Sequence, residues 1–138
     1  MVVRADVTTT PVSAEEHESL VRNDAAGAVV SFVGVVRDHD RGKSVELIEY
    51  VAHPSASTVI AEIVEKLAAD ADILGLAVSH RVGTLQIGDV ALACAVSSAH
   101  RAEAFEICAR IVDEVKAALP IWKRQVFTDG TEEWVACP

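Results

Sequence analysis

The chain predicts an α+β fold, a largely antiparallel sheet with about three helices packed against it. Three observations lead there. Apolar residues recur at helical spacing in three separate segments, β-branched runs lie between those segments, and Gly and Pro punctuate both, giving the order β-α-β-β-α-β-β-α-β-β. With 138 residues, 51% of them hydrophobic, the chain reads as a single domain over 1–138, large enough to bury a core without disulfide staples. Aromatics supply only 4%, so that core must be aliphatic. No repeat, linker or low-complexity segment interrupts it.

Residues 2 to 9 alternate as an edge strand, and Pro11 ends it. Ser13-Ala14-Glu15-Glu16 has the form of a capping box, with Ser13 accepting from a free backbone N–H and Glu16 reaching back; it opens a short helix to about Asn23. After Gly27, residues 28 to 36 form a near-continuous β-branched run, the pattern of a strand buried on both faces, and interior Gly34 marks a bulge or a close backbone approach. The cationic loop Arg37 to Lys43 then joins this strand to a second over Val45 to Val51, so the two read as a hairpin with a long functional loop.

Residues 55 to 71 carry Val59, Ile60, Ile63, Val64 and Leu67, the spacing of a helix lying on a sheet. Strands recur over Gly75 to Val82 and Val90 to Ser97, linked through Gly83 and Gly88-Asp89. The last helix runs from about Ala99 to Leu119, with Phe105, Cys108, Val112, Val115 and Leu119 as its buried stripe and Glu103, Glu106, Arg110 and Glu114 opposite. Pro120 stops it. Ile121 to Phe127 is then a strand, Asp129-Gly130 a turn, and a short strand reaches Val135.

A net charge of -9 and a pI of about 4.9 argue against nonspecific nucleic-acid binding and against anionic membranes, both of which need clustered cations. The first residues lack a cationic segment followed by an apolar one, and no apolar run approaches the ~18 residues of a membrane span, so a cytoplasmic protein is expected. Three cysteines make neither a zinc ribbon nor a disulfide framework, and Cys94 and Cys108 sit at apolar positions as core filler. Glycine-rich phosphate loops, a Gly-x-Ser-x-Gly elbow and His-Glu-x-x-His are missing from the sequence, so no metal, cofactor or protein nucleophile is expected.

What remains is a local anomaly of charge. Lys116 and Lys123, two of only four lysines, bracket the Pro-Ile-Trp turn after the last helix. Lys116 falls on the helix wheel beside Val112 and Leu119, where a long side chain lays its methylenes on the core and holds its ammonium in a cleft. At the other end of that helix, His100-Arg101 meets free backbone N–H groups and a forked guanidinium suited to phosphate or carboxylate. The two ends are roughly 24 Å apart at 1.5 Å per residue, so either the ligand is extended or two subunits contribute. Arg37, His39, Arg41 and Lys43 add further cations in a loop, while His80-Arg81 is expected to lie away from the cleft. Composition and spacing alone leave open a small-anion-binding regulatory module.

Taken together, the segment from Gly27 to Arg37, His80-Arg81-Val82-Gly83, Ser97-Ser98-Ala99-His100-Arg101 with Ala104-Phe105, and Lys116 with Pro120-Ile121-Trp122-Lys123-Arg124 resemble the large, catalytic subunit of molybdopterin synthase. The resemblance covers about Gly27 to Trp134 and implies the family's α/β hammerhead fold. It also implies a sulfurtransferase in which a small ubiquitin-like subunit brings sulfur as a C-terminal Gly-Gly thiocarboxylate. Two such transfers convert cyclic pyranopterin monophosphate into the dithiolene of molybdopterin. By the same resemblance Lys116 and Lys123 are catalytic, Arg37, His100, Arg101, Arg124 and Gln125 bind substrate, and the large subunit forms a homodimer within a heterotetramer. A noncatalytic paralogue that keeps the partner surface without the chemistry is the alternative.

Overall fold

The computed structural model describes residues 1–137, in which the elements run β1 (Val2–Thr8), α1 (Ala14–Leu20), β2 (Ala28–Val35), β3 (His39–Asp40), β4 (Lys43–Ala52), α2 (Ala56–Ala69), β5 (Gly75–Arg81), β6 (Gly83–Gln86), β7 (Val90–Ser98), α3 (Arg101–Ala118), β8 (Ile121–Phe127) and β9 (Glu132–Cys137). Two sheets result. The first has the order β1-β5-β7-β2, with only β1 and β5 parallel; the second has the order β3-β4-β8-β9, with β6 also on β4. The α+β expectation holds, and β3 and β6 are additions too short to show a period in sequence. Among the described residues no helix is long and apolar enough to cross a membrane.

β5 and β7 occupy the middle of the first sheet, and side-chain alternation covers both their faces. Leu76, Val78, Cys94 and Val96 point one way, onto Ile60, Val64 and Leu67 of α2 and Ile111 and Val115 of α3. Burying each such aliphatic side chain contributes roughly 1.5–3 kcal/mol. Ala77 and Ala95 point the other way, under Leu20 and Val21 at the end of α1, and their small size lets that short helix approach. Buried His17 fastens it, with Nδ1 2.8 Å from the Ser13 carbonyl and Nε2 2.7 Å from the Ser79 hydroxyl.

Half of the expected capping box forms. Glu16 N–H donates to Ser13 Oγ at 3.2 Å, but the Glu16 carboxylate turns outward and pairs with Arg4 on β1. Cys94 and Cys108 are buried thiols with sulfurs 3.9 Å apart, as core filler should be.

Three expectations need correction. β2 is not buried on both faces: it is the sheet's edge, and Val29, Val33 and Val35 are 45%, 36% and 54% exposed. Nor is it the hairpin partner of β4, because the chain leaves the first sheet at Val36 and β4 enters the second. The hairpin is instead β3 with β4, closed by Arg41 and Gly42, both at positive φ (49° and 80°), the conformation a two-residue hairpin turn requires. Finally, Phe105 stands 60% exposed, and Ala104, Ile107 and Ile111 complete the buried stripe of α3 in its place.

Candidate functional site

Between the two sheets lies a cavity of about 310 Å³. Its walls come from the end of β2 and the residues after it, the end of β5, the last turn of α3, and the facing strands β4 and β8. Each wall has a local cause. The ladder between β2 and β7 slips at Gly34/Val35, the bulge that the interior glycine suggested, and this bends the chain so that Arg37 arrives at the rim. Pro120 ends α3 immediately after its core-facing Leu119, leaving Lys116 at the mouth of the cavity. On β8, Ile121, Lys123 and Gln125 share the inward face because they alternate.

Four of the seven residues singled out in the sequence therefore meet here: Arg37, Lys116, Lys123 and Gln125. The other three do not. Arg124 lies on the outer face of β8, where its Nε donates to Glu49 Oε1 at 3.0 Å and NH1 to Glu132 Oε2 at 2.8 Å; these bonds raise its pKa further. His100 and Arg101 are exposed at the far end of α3. His100 holds the N-cap position by its backbone, while its imidazole makes no capping bond, so both side chains are left to solvent. Gly27 sets that end of the helix against β2: a Cβ there would stand 2.5 Å from the Ala99 carbonyl oxygen.

The charge pattern separates the lysines from their neighbours. Arg41 pairs with Glu133 at 2.8 Å, and Lys43 with Asp129 at 3.5 Å while lying over the Phe127 ring. His39 is paired with Asp38 outside the cavity. Lys116 and Lys123 have no carboxylate partner among the described residues, although the chain carries 21 acidic side chains. Among the described residues one carboxylate does enter. Asp40 Oδ2 accepts from Gln125 Nε2 at 2.9 Å and Oδ1 from Arg37 at 3.2 Å; the Gln125 bond, with help from Arg41 and Arg37, holds its pKa below the usual value.

His80, expected from sequence to lie away from the cleft, lines the cavity instead. It continues the core-facing stripe Leu76-Val78 at period two, and this register is the signal that located it. Its ring is 7% exposed and stands edge-on to Tyr50, centroids 5.2 Å apart. Burial pushes its pKa down to about 4; the hydrogen bond to the Arg81 carbonyl opposes the shift, and the Lys116 charge adds to it. The cavity thus presents fixed cations, one restrained carboxylate and a neutral imidazole, an arrangement suited to an anion and to charge that develops during a reaction.

Comparison with known proteins gives the chain a lineage. Residues 7–118 match the family model described as MoaE protein. A Bacillus subtilis protein named molybdopterin synthase catalytic subunit is 35% identical over 96% of this chain and 84% of its own length. A rice protein of the same name is 42% identical over 83% of this chain, which spans only 59% of that longer relative. The crystal structure of molybdopterin synthase from Staphylococcus aureus superposes with a TM-score of 0.87 at 31% identity, covering 96% of both chains.

Proposed function

Since the chain belongs to the MoaE protein family, we propose that it is the sulfur-transferring catalytic subunit of a molybdopterin synthase, acting as one domain over residues 1–138. The carrying observation is the pair of lysines with no carboxylate partner among the described residues on the wall of one cavity, beside cations that are otherwise ion-paired. Sulfur arrives as the C-terminal thiocarboxylate of a small partner subunit, and the acceptor is cyclic pyranopterin monophosphate. The thiocarboxylate, the cyclic phosphate and the oxygen freed as that phosphate opens are all anionic, so the chemistry calls for preorganised positive charge in a confined site. Lys116, at the mouth, meets the incoming tail; Lys123 lies deeper with Gln125. Arg37 takes the phosphate, exchanging its bond with Asp40 for a bidentate one. Arg124 braces β8 from outside through Glu49 and Glu132.

His100 and Arg101 enter from a second copy. β2 is an exposed apolar edge of eight residues, and beside it Phe32 and Phe105 rim an apolar groove of about 410 Å³. The first residue of β2 pairs with Ser98, two residues before His100, and its last residues border the cavity. Antiparallel pairing of two β2 edges about a two-fold axis sets the start of one strand beside the end of the other. Each cavity then receives the partner's helix entry, which removes the reach problem of roughly 24 Å. The compartment is the cytoplasm, whose reducing poise keeps a thiol pair such as Cys94 and Cys108 reduced.

The test is reconstitution. Purified chain, thiocarboxylated small subunit and cyclic precursor are expected to yield molybdopterin; no product with a partner known to be competent would overturn the reading.

A further inference from the structure

Within the cavity His80 stands out as a polar ring where β5 calls for another aliphatic. Leu76, Val78 and His80 share the core-facing side of the strand, and His80 is paired in register with Leu92. Its Nδ1 lies 2.8 Å from the Arg81 carbonyl oxygen, an acceptor with no proton to give, so Nδ1 carries the hydrogen and donates. The Tyr50 ring, at an interplanar angle of 71°, holds the imidazole plane against rotation. In the neutral tautomer so fixed, Nε2 bears a lone pair. That atom makes no hydrogen bond to any described residue, and the side chain lines the cavity.

A lone pair held this way is matched by a donor. The cations around it attract an anion, but the oxygens of a fully ionised anion such as sulfate have nothing to offer an acceptor. We propose that His80 Nε2 is the specificity-determining acceptor of the cavity, taking a hydrogen bond from an N–H or O–H group of the heterocycle while Arg37 holds its phosphate. The ligand class is accordingly an anion carrying a neutral ring donor. Sulfate, with no proton to give, satisfies only the cationic part. The ring stays neutral at physiological pH because burial and Lys116 both disfavour its charged form, so it does not compete with the cations as a further positive group.

This inference rests on the synthase reading, and its test separates the two. A Gln side chain places an oxygen near the position of Nε2, whereas Asn mimics the Nδ1–H donor and leaves the Nε2 position vacant. By calorimetry, His80→Asn is expected to bind the cyclic precursor about tenfold more weakly with sulfate affinity unchanged, and His80→Gln to stay within about threefold of wild type. In the unsubstituted protein, the 15N resonance of His80 Nε2 is expected to move when precursor is added and to stay in place with sulfate, a readout that needs no variant to fold. Wild-type precursor affinity in His80→Asn, equal weakening in both variants, or an Nε2 resonance unmoved by precursor would each overturn the inference. Failure of the wild-type chain to make product with a competent partner would instead defeat the synthase reading.

Discussion

Gln125 and Asp40, 85 positions apart in sequence, meet at 2.9 Å and fix the one carboxylate among the described residues that faces the cationic cavity. Asp40 is a built-in competitor for Arg37. Asp40→Asn keeps an acceptor for Gln125 while removing the negative charge, so inorganic phosphate is expected to bind more tightly, on the order of threefold at low ionic strength. Calorimetry at two salt concentrations checks this, since the gain must shrink as salt rises. Weaker phosphate binding would mean that Asp40 matters by ordering Arg37.

Lys116 is exposed, beside buried Val115, on a helix where alanine is at least as good a former. Lys116→Ala is therefore expected to leave the melting temperature within about two degrees of wild type. Turnover is expected to fall at least a hundredfold, the scale of removing one preorganised charge from a developing anion. Steady-state kinetics beside a thermal melt checks both halves. Turnover within a few-fold of wild type would take Lys116 out of the chemistry.

The shared-site arrangement makes a sharper demand. Val33→Lys on the β2 edge is expected to shift the protein to monomer in sedimentation experiments, because a charge on an edge strand opposes pairing. A chain carrying His100→Ala with Arg101→Ala and a chain carrying Lys116→Ala are each expected to be inactive. Mixed after dissociation, they are expected to recover about one quarter of wild-type activity, since half of the random dimers are mixed and each of those holds one complete site. No recovery in mixed dimers would place His100 and Arg101 outside the partner's cavity.

His80 predicts a pH dependence with a definite sign. Its pKa is about 4 when folded against 6.5 ordinarily, so between those values the unfolded chain binds more protons. Its stabilising contribution is complete above about pH 6.5 and is lost as pH falls toward 4, about 3 kcal/mol in all. Asp40 and Asp129, whose pKa values are lowered by hydrogen bonds from Gln125 and Thr131, act in a lower window, below the ordinary 3.8. Denaturant melts across pH are expected to show the upper slope in the wild-type chain and not in His80→Gln. An identical slope in both would assign it to other groups.

Where a segment's structure is set by its own residues, the sequence was a sufficient guide. Ile121–Phe127 is the strand it appeared to be because Pro120 and Asp129-Gly130 bound it, and Ser13 caps the helix it was expected to open. The lysines were legible through scarcity. Burial of β2 was not, because a β-branched run looks the same in a central strand and at a sheet edge. β7, with its alanines and serines, was the strand buried on both faces, and its small residues disguised this. Phe105 misled for the same reason as β2. The cavity itself depends on the chain crossing from one sheet to the other after Gly34, a tertiary event that no periodicity records; only then do Asp40 and His80 face Lys116 and Lys123.

In the proposed reading that crossing gives β2 two duties in a few residues: its outer edge is for a second copy, while its bulged end, which brings Arg37 to the cavity, serves the substrate. In the proposed dimer these duties are thermodynamically linked. A ligand held at once by Arg37 of one chain and His100 of the other binds only the paired form. By reciprocity it must tighten self-association by the same factor that pairing tightens its own affinity. Dilution would then silence the enzyme before any chain unfolds, and substrate would rescue it, so that the cell's supply of precursor sets how much working catalyst exists.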